Sequence, residues 1–250
     1  MTNKEEVKIV KGLFKSMFKE DKHWFQYTSD YVVSQPGGSA KGWTWENCLI
    51  SMFDLFCIPS YTDGVTNPNT DITIEVFNDS IPIQVKAYST PLASSKIQLS
   101  TMAQTNYYDE GLQYFEADDG SFNGKEYSNF LKQYSIPLDV VMTTDSKTMD
   151  CKLYVFHFID LFKKTERYNI SGKDNDVITI FARDKKNELR AAFTIGPDMT
   201  DADCYKRGIW IQNWFLMENE KPIKTLKAEK RNVFMEFIKQ RRLEDKFNDS

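Results

Sequence analysis

Asp71, Gln84 and Lys86 are the residues whose types and spacing best suit chemistry in this chain. In Ile81-Pro82-Ile83-Gln84-Val85-Lys86-Ala87-Tyr88, the apolar Ile81, Ile83, Val85 and Ala87 alternate with Gln84 and Lys86. A strand here has one apolar face and one face that sets an amide beside an ammonium. The run ITIEVF at 72–77 alternates in the same way, and Asn78-Asp79-Ser80 between the two predicts a hairpin turn. Asp71 stands just before the first strand, 13 positions ahead of Gln84. Antiparallel pairing brings the start of one strand to the end of the other, so Asp71 and Lys86 are expected to converge. Such a set suits hydrolysis of a phosphodiester. Asp71 would hold a divalent cation, the Gln84 carbonyl or a water would complete its oxygen shell, and Lys86 would position the attacking water and steady developing negative charge.

A rival set of the same pattern exists. Asp139 followed by Asp150-Cys151-Lys152 carries an acid where the first set has Gln84. Lys86 is preferred because it is embedded in an alternating run, whereas Lys152 opens a strand where solvation is easy. The plain alternative for Gln84 and Lys86 is an ordinary exposed sheet face.

The elements that must position these residues read as follows. Residues 3–22 form an amphipathic helix with Val7, Val10, Phe14, Met17 and Phe18 on one side. An aromatic, irregular stretch then ends in the loop SQPGGSAKG. Thr44 caps a helix from Trp45 to Cys57, which Pro59 stops. After the hairpin, strands are expected near 96–102, 138–143, 152–158, 177–183, 190–195 and 208–216. Helices are expected near 125–134, 159–167 and 225–245. This order predicts an α/β fold, a central mixed β-sheet flanked by helices, in a single domain spanning 1–250. Its core is expected at about 37–160, with the later strands and a basic helix at about 175–247 elaborating it.

Composition narrows the function classes. The chain has 250 residues, 41% of them hydrophobic and 14% aromatic, which supports a sizeable core and excludes general disorder. No apolar run reaches the ~18–20 residues of a membrane span, and the first residues lack a signal-peptide pattern, so a cytoplasmic protein without a membrane partner is expected. Cys48, Cys57, Cys151 and Cys204 are scattered without a CxxC pair, which favours reduced, mostly buried thiols over a zinc knuckle or a disulfide scaffold. The two histidines, His23 and His157, are too few for a His metal cluster, and His157 in LYVFHF reads as a satisfied core residue. No nucleophile elbow and no phosphate-binding loop of the GxxxxGK[ST] type occurs, so any catalysis falls to carboxylates and lysines. Thirty-two basic residues against 36 acidic ones give a net charge of −4, which argues against a protein that coats nucleic acid. The segment from Lys221 to Arg242, with eight basic residues against two acids, is a local exception. A local patch on an acidic body suits an enzyme that contacts phosphates only in its cleft, and equally suits a solvated helix face.

Asp71…Gln84-Val85-Lys86 resembles the PD-(D/E)xK nuclease superfamily, in which an upstream helix supplies a further glutamate; SAKGWTWENCLISMFDLF offers Glu46. Ser39-Ala40-Lys41-Gly42, Glu46, Thr70-Asp71-Ile72 and Ile83-Gln84-Val85-Lys86 together resemble the small type II restriction endonucleases that cut four-base G·C palindromes. The resemblance covers residues 37–103. It implies Asp71 as the principal metal ligand, Gln84 as a neutral ligand, Glu46 as an aid to metal or water binding, and Lys86 as the catalytic lysine. The implied cofactor is Mg2+, with Mn2+ able to substitute. The implied partner is double-stranded DNA, cut by two active sites in a homodimer and protected in the host by a cognate methyltransferase that need not touch the enzyme. Thr70 replaces the signature proline, and Gln84 replaces the usual acid, which favours a single cation. Lys41, Ser94, Ser95, Lys96 and Gln98 are the candidate contacts to phosphates and base edges. The aromatic run GIWIQNWF reads as core rather than as a base-stacking platform. The alternatives are a repair or recombination nuclease of the same superfamily, and a catalytically inactive DNA-binding protein with the nuclease fold.

Overall fold

The computed structural model describes residues 1–35, 38–62, 70–90, 96–102, 106–145, 147–173, 176–197 and 207–227. Helix α1 (Asn3–Glu20) begins with a reciprocal capping box between Thr2 and Glu5 and buries Val10, Phe14, Met17 and Phe18, the apolar stripe of the sequence. Helix α2 (Trp24–Ser34) occupies the stretch expected to be irregular. Helix α3 runs over Gly38–Leu55, so the glycine-containing segment expected as a loop already forms its first turns, and Thr44 is inside the helix rather than its cap. A glycine inside a helix costs about 1 kcal/mol. Here the buried stripe Trp45, Leu49, Met52 and Phe53 outweighs that propensity.

Six strands form the central sheet: β1 (Ser60–Tyr61), β2 (Ile72–Val76), β3 (Asp79–Thr90), β5 (Leu138–Asp145), β6 (Cys151–Phe156) and β11 (Lys224–Leu226), side by side in the order β1-β2-β3-β5-β6-β11. Strands β3 and β5 are parallel and the other neighbours antiparallel, which makes the sheet mixed. Strands β2 and β3 turn through Phe77 and Asn78, both at positive φ (54° and 66°), one position earlier than the expected turn. That pair of left-handed residues matches the twist of a tight two-residue hairpin.

A second sheet corrects the expectation of one. It contains β4 (Lys96–Met102), β7 (Arg167–Ser171), β8 (Val177–Arg183), β9 (Leu189–Pro197) and β10 (Arg207–Gln212), ordered β4-β10-β9-β8-β7. Strand β7 lies where a helix was expected to end, and its short run RYNIS alternates exposed with half-buried positions as an edge strand does. The segment expected as one strand to 216 breaks after Gln212 into helix α7 (Asn213–Asn219). The short α4 (Asn106–Gly111), α5 (Gly124–Leu131) and α6 (Phe158–Leu161) complete the set. Strand β11 occupies the start of the expected C-terminal basic helix; the rest of that helix, 228–245, lies outside the described residues.

The period-two alternation of the central strands divides the core. Ile81, Ile83, Val85, Leu138, Val140, Leu153 and Val155 pack with α1, α2 and α3. The opposite face contributes Val141, Tyr154 and Phe156 to a second cluster, shared with the five-stranded sheet and with α5, α6 and α7. The central sheet is therefore covered by helices on one face and by the second sheet with its helices on the other. No helix among the described residues is long and apolar enough to cross a membrane.

Candidate active site

Register places the site. Ile72 pairs with Ile83 and the Asp71 N–H donates to the Ile83 carbonyl at 3.0 Å, so Asp71 lies at the mouth of the hairpin opposite Gln84. Its carboxylate turns back across the strand. Asp71 Oδ2 accepts from the Gln84 side-chain amide at 2.5 Å and from the Val85 N–H at 2.6 Å, and lies 3.8 Å from the Lys86 ammonium. The expected convergence of Asp71, Gln84 and Lys86 thus holds. Gln84 is only 5% exposed, which excludes the plain reading of an exposed sheet face at that position. All of these contacts converge on Oδ2, and Asp71 Oδ1 accepts no hydrogen bond among the described residues.

Helix α3 brings Glu46 to the same place. Its carboxyl is held above the ordinary range, first by burial and then by the negative charge of Asp71, with Lys86 pulling the other way. The helix is moored to the strand beyond the site, where Lys41 Nζ donates to Ser89 Oγ at 3.3 Å. Lys41 therefore stands at the open end of β3. Lys96 and Gln98 lie on β4 in the second sheet, opposite Gln212 and Trp210. Ser94 and Ser95 lie outside the described residues. Trp214, on α7, is core: it is 5% exposed, and its indole N–H donates to the Ala191 carbonyl at 2.7 Å.

The rival set does not assemble. Asp139 pairs with Phe156 while Lys152 pairs with Thr143, four positions along the strand. That separation is roughly 13 Å at ~3.3 Å per residue. Asp150 is engaged instead by Lys227 at 2.7 Å. Asp139 nevertheless joins the first set, because β3 and β5 place Gln84 and Asp139 side by side. Its 1% exposure pushes its carboxyl up to about 8, with the Phe158 N–H and Lys86 opposing the shift and Asp71 adding to it. The sequence signal was a lone acid in the apolar run Ile136-Pro137-Leu138-Asp139-Val140-Val141.

Two other expectations change in detail. His157 is buried, and burial pulls it down to about 4, but Nδ1 has no hydrogen-bond partner among the described residues and Nε2 is 3.8 Å from Glu6. Contact with the Ile136 backbone opposes that shift, and His157 is a core histidine, as expected. Cys48, Cys57 and Cys151 are free thiols, and Cys57 is exposed rather than buried; Cys204 lies outside the described residues.

Oxygen donors from Asp71, Glu46 and Gln84 fit a hard divalent cation such as Mg2+ or Mn2+ better than a thiophilic metal. Among the described residues no cluster of three His, Cys, Asp or Glu side chains suited to a metal is present. Comparison of the chain with protein-family models, with curated proteins and with solved structures gives no match.

Proposed function

We propose that this protein is a metal-dependent endonuclease of the type II restriction kind, hydrolysing phosphodiester bonds of double-stranded DNA at a short specific sequence. The observation that carries the reading is the convergence of Asp71, Gln84 and Lys86 at one hairpin mouth, with Glu46 close enough to feel both charges. The PD-(D/E)xK resemblance supports it by giving each of these residues a role.

In this reading Asp71, Glu46 and the Gln84 carbonyl would hold Mg2+, or Mn2+ in its place, and the bound ion would supply Lewis-acid polarisation of the phosphodiester and a more acidic water. Lys86, partly exposed beside Asp71, orients the attacking water and offsets the charge that grows on the non-bridging oxygens. Glu46, a stronger base than an exposed glutamate, takes the proton released as water oxygen bonds to phosphorus. The bond from phosphorus to the leaving sugar oxygen breaks in line with that attack, and that oxygen takes a proton from solvent water. Lys41 meets a backbone phosphate beyond Ser89, and Lys96 and Gln98 lie on the strand that follows the catalytic hairpin and approach base edges or phosphates. A palindromic target requires two such sites, hence a homodimer on DNA, and a host methyltransferase that protects the same sequence. Such an enzyme works in the cytoplasm.

The Gln84 amide supports a second reading. By satisfying Asp71 without a cation it suits a protein that binds DNA and has lost catalysis. Incubating the protein with unmethylated plasmid and phage DNA, with magnesium or with chelator, separates the two. Discrete magnesium-dependent fragments are expected. DNA binding without cleavage under any divalent cation favours the inactive protein, and cleavage of branched or flapped DNA but not of plain duplex favours a repair nuclease.

A further inference from the structure

We propose that Asp139 is the acid that Gln84 lacks, a ligand to the same divalent cation delivered from the neighbouring strand. The proposal rests on the nuclease reading, since it assigns a further residue to that site. The position comes from register: Gln84 and Asp139 are direct partners on the parallel strands β3 and β5, so their side chains stand on one face of the sheet, next to each other. The second observation is an orphan atom. Asp139 is 1% exposed; Oδ2 accepts from the Phe158 N–H at 3.3 Å, whereas Oδ1 has no hydrogen-bond partner among the described residues. A buried carboxylate oxygen left without a donor is costly, and a cation is one of the few groups that repays it.

The neighbouring atoms fit. Asp71 Oδ1 accepts no hydrogen bond among the described residues, and the Gln84 carbonyl is the oxygen left over when its nitrogen serves Asp71. One oxygen each from Asp71, Gln84 and Asp139 therefore comes from three adjacent strands, and the site regains the two acids that the common form of the pattern has. Capping the first turn of α6 accounts for Asp139 Oδ2 and leaves Oδ1 unexplained.

The test is calorimetric titration of the full-length protein with Mn2+, without DNA, on wild type, Asp139→Asn and the double variant Asp139→Asn/Gln84→Glu. Asparagine keeps the shape and can still accept from Phe158. Wild type is expected to bind; Asp139→Asn is expected to lose about tenfold or more in affinity with its far-UV spectrum unchanged, and the double variant to recover most of it. In wild type, bound Mn2+ is also expected to broaden the amide signals of Val140 and Phe158, a readout independent of any substitution. Equal Mn2+ affinity in wild type and Asp139→Asn overturns the proposal and leaves the nuclease reading standing, whereas sharp Val140 and Phe158 signals in the loaded protein place the ion away from this hairpin and overturn both. No Mn2+ binding by folded wild type overturns both.

Discussion

Gln84 donates its side-chain amide to Asp71 Oδ2 at 2.5 Å, across the mouth of the hairpin that carries Lys86. A glutamate at 84 would place a second carboxylate against that oxygen and remove its donor. Gln84→Glu is therefore expected to destabilise the metal-free protein by about 1–2 kcal/mol near neutral pH, from like-charge repulsion and a lost hydrogen bond. Added Mn2+ is expected to reverse the loss, because a cation held by Asp71 and the new glutamate would offset their mutual repulsion. Thermal unfolding with and without Mn2+ reads both effects, and a variant as stable as wild type in chelator would contradict the arrangement.

Phe77 and Asn78 show how a local cost fixes the site. Phe77 is 81% exposed and sits at φ 54°, a region that disfavours residues other than Gly, Asn and Asp. Phe77→Asn is expected to stabilise the protein by about 0.5–1 kcal/mol, since left-handed strain is relieved and no buried contact is lost. Chemical denaturation gives the value. A marked loss of stability would mean that the exposed ring makes contacts that count.

Much of this was legible in the chain. Alternation named both strands of the hairpin, and the one-residue error in its turn came from taking Asn78 as the first turn residue when Phe77, an unfavourable left-handed residue, holds that place. The candidate set was visible because Gln84 and Lys86 alternate with the apolar Ile83, Val85 and Ala87. The helix start at Gly38 was hidden by local propensity, which Trp45, Leu49, Met52 and Phe53 overrule only through tertiary packing. Asp139 stood out only as part of the rival set with Lys152, whereas the fold places it beside Gln84. Parallel pairing of β3 with β5 spans more than fifty residues and leaves no local mark in sequence.

His157 governs a pH effect of known sign. Its neutral form is favoured by burial down to about 4, while the unfolded chain takes up a proton near the ordinary histidine value of ~6.5. As pH falls from 6.5 towards 4 the unfolded state binds the proton and the folded state does not, so this group costs stability progressively across that window. Asp139 works in the opposite direction over much of the same range, because its folded form holds a proton that the unfolded chain releases. The clean quantity is therefore the difference between His157→Gln and wild type. It is expected to move in favour of the variant by about 2–3 kcal/mol between pH 7 and pH 4. A difference that does not change with pH would contradict the buried neutral state.

Glu46 acts from the helix rather than from the strands, and its removal should be the milder lesion. Glu46→Gln is expected to lower the cleavage rate by about 10²-fold, within the usual range for a general base, with less effect on Mn2+ affinity than Asp71→Asn. Single-turnover cleavage beside Mn2+ titration separates these outcomes. Loss of all metal binding in Glu46→Gln would recast it as a principal ligand.

The most direct test of the central claim is cleavage of unmethylated duplex DNA by wild type and Lys86→Ala in Mg2+, with DNA binding by both measured in Ca2+. Lys86 is partly exposed and its ammonium is 3.8 Å from Asp71, so its loss removes charge from the site without opening the core. The expected result is discrete fragments from wild type, cleavage reduced at least ~10³-fold in Lys86→Ala, and duplex binding within a few fold of wild type. Equal cleavage by the two proteins, or none by wild type while it still binds duplex, would contradict the assignment of Asp71, Gln84 and Lys86 as a working active site.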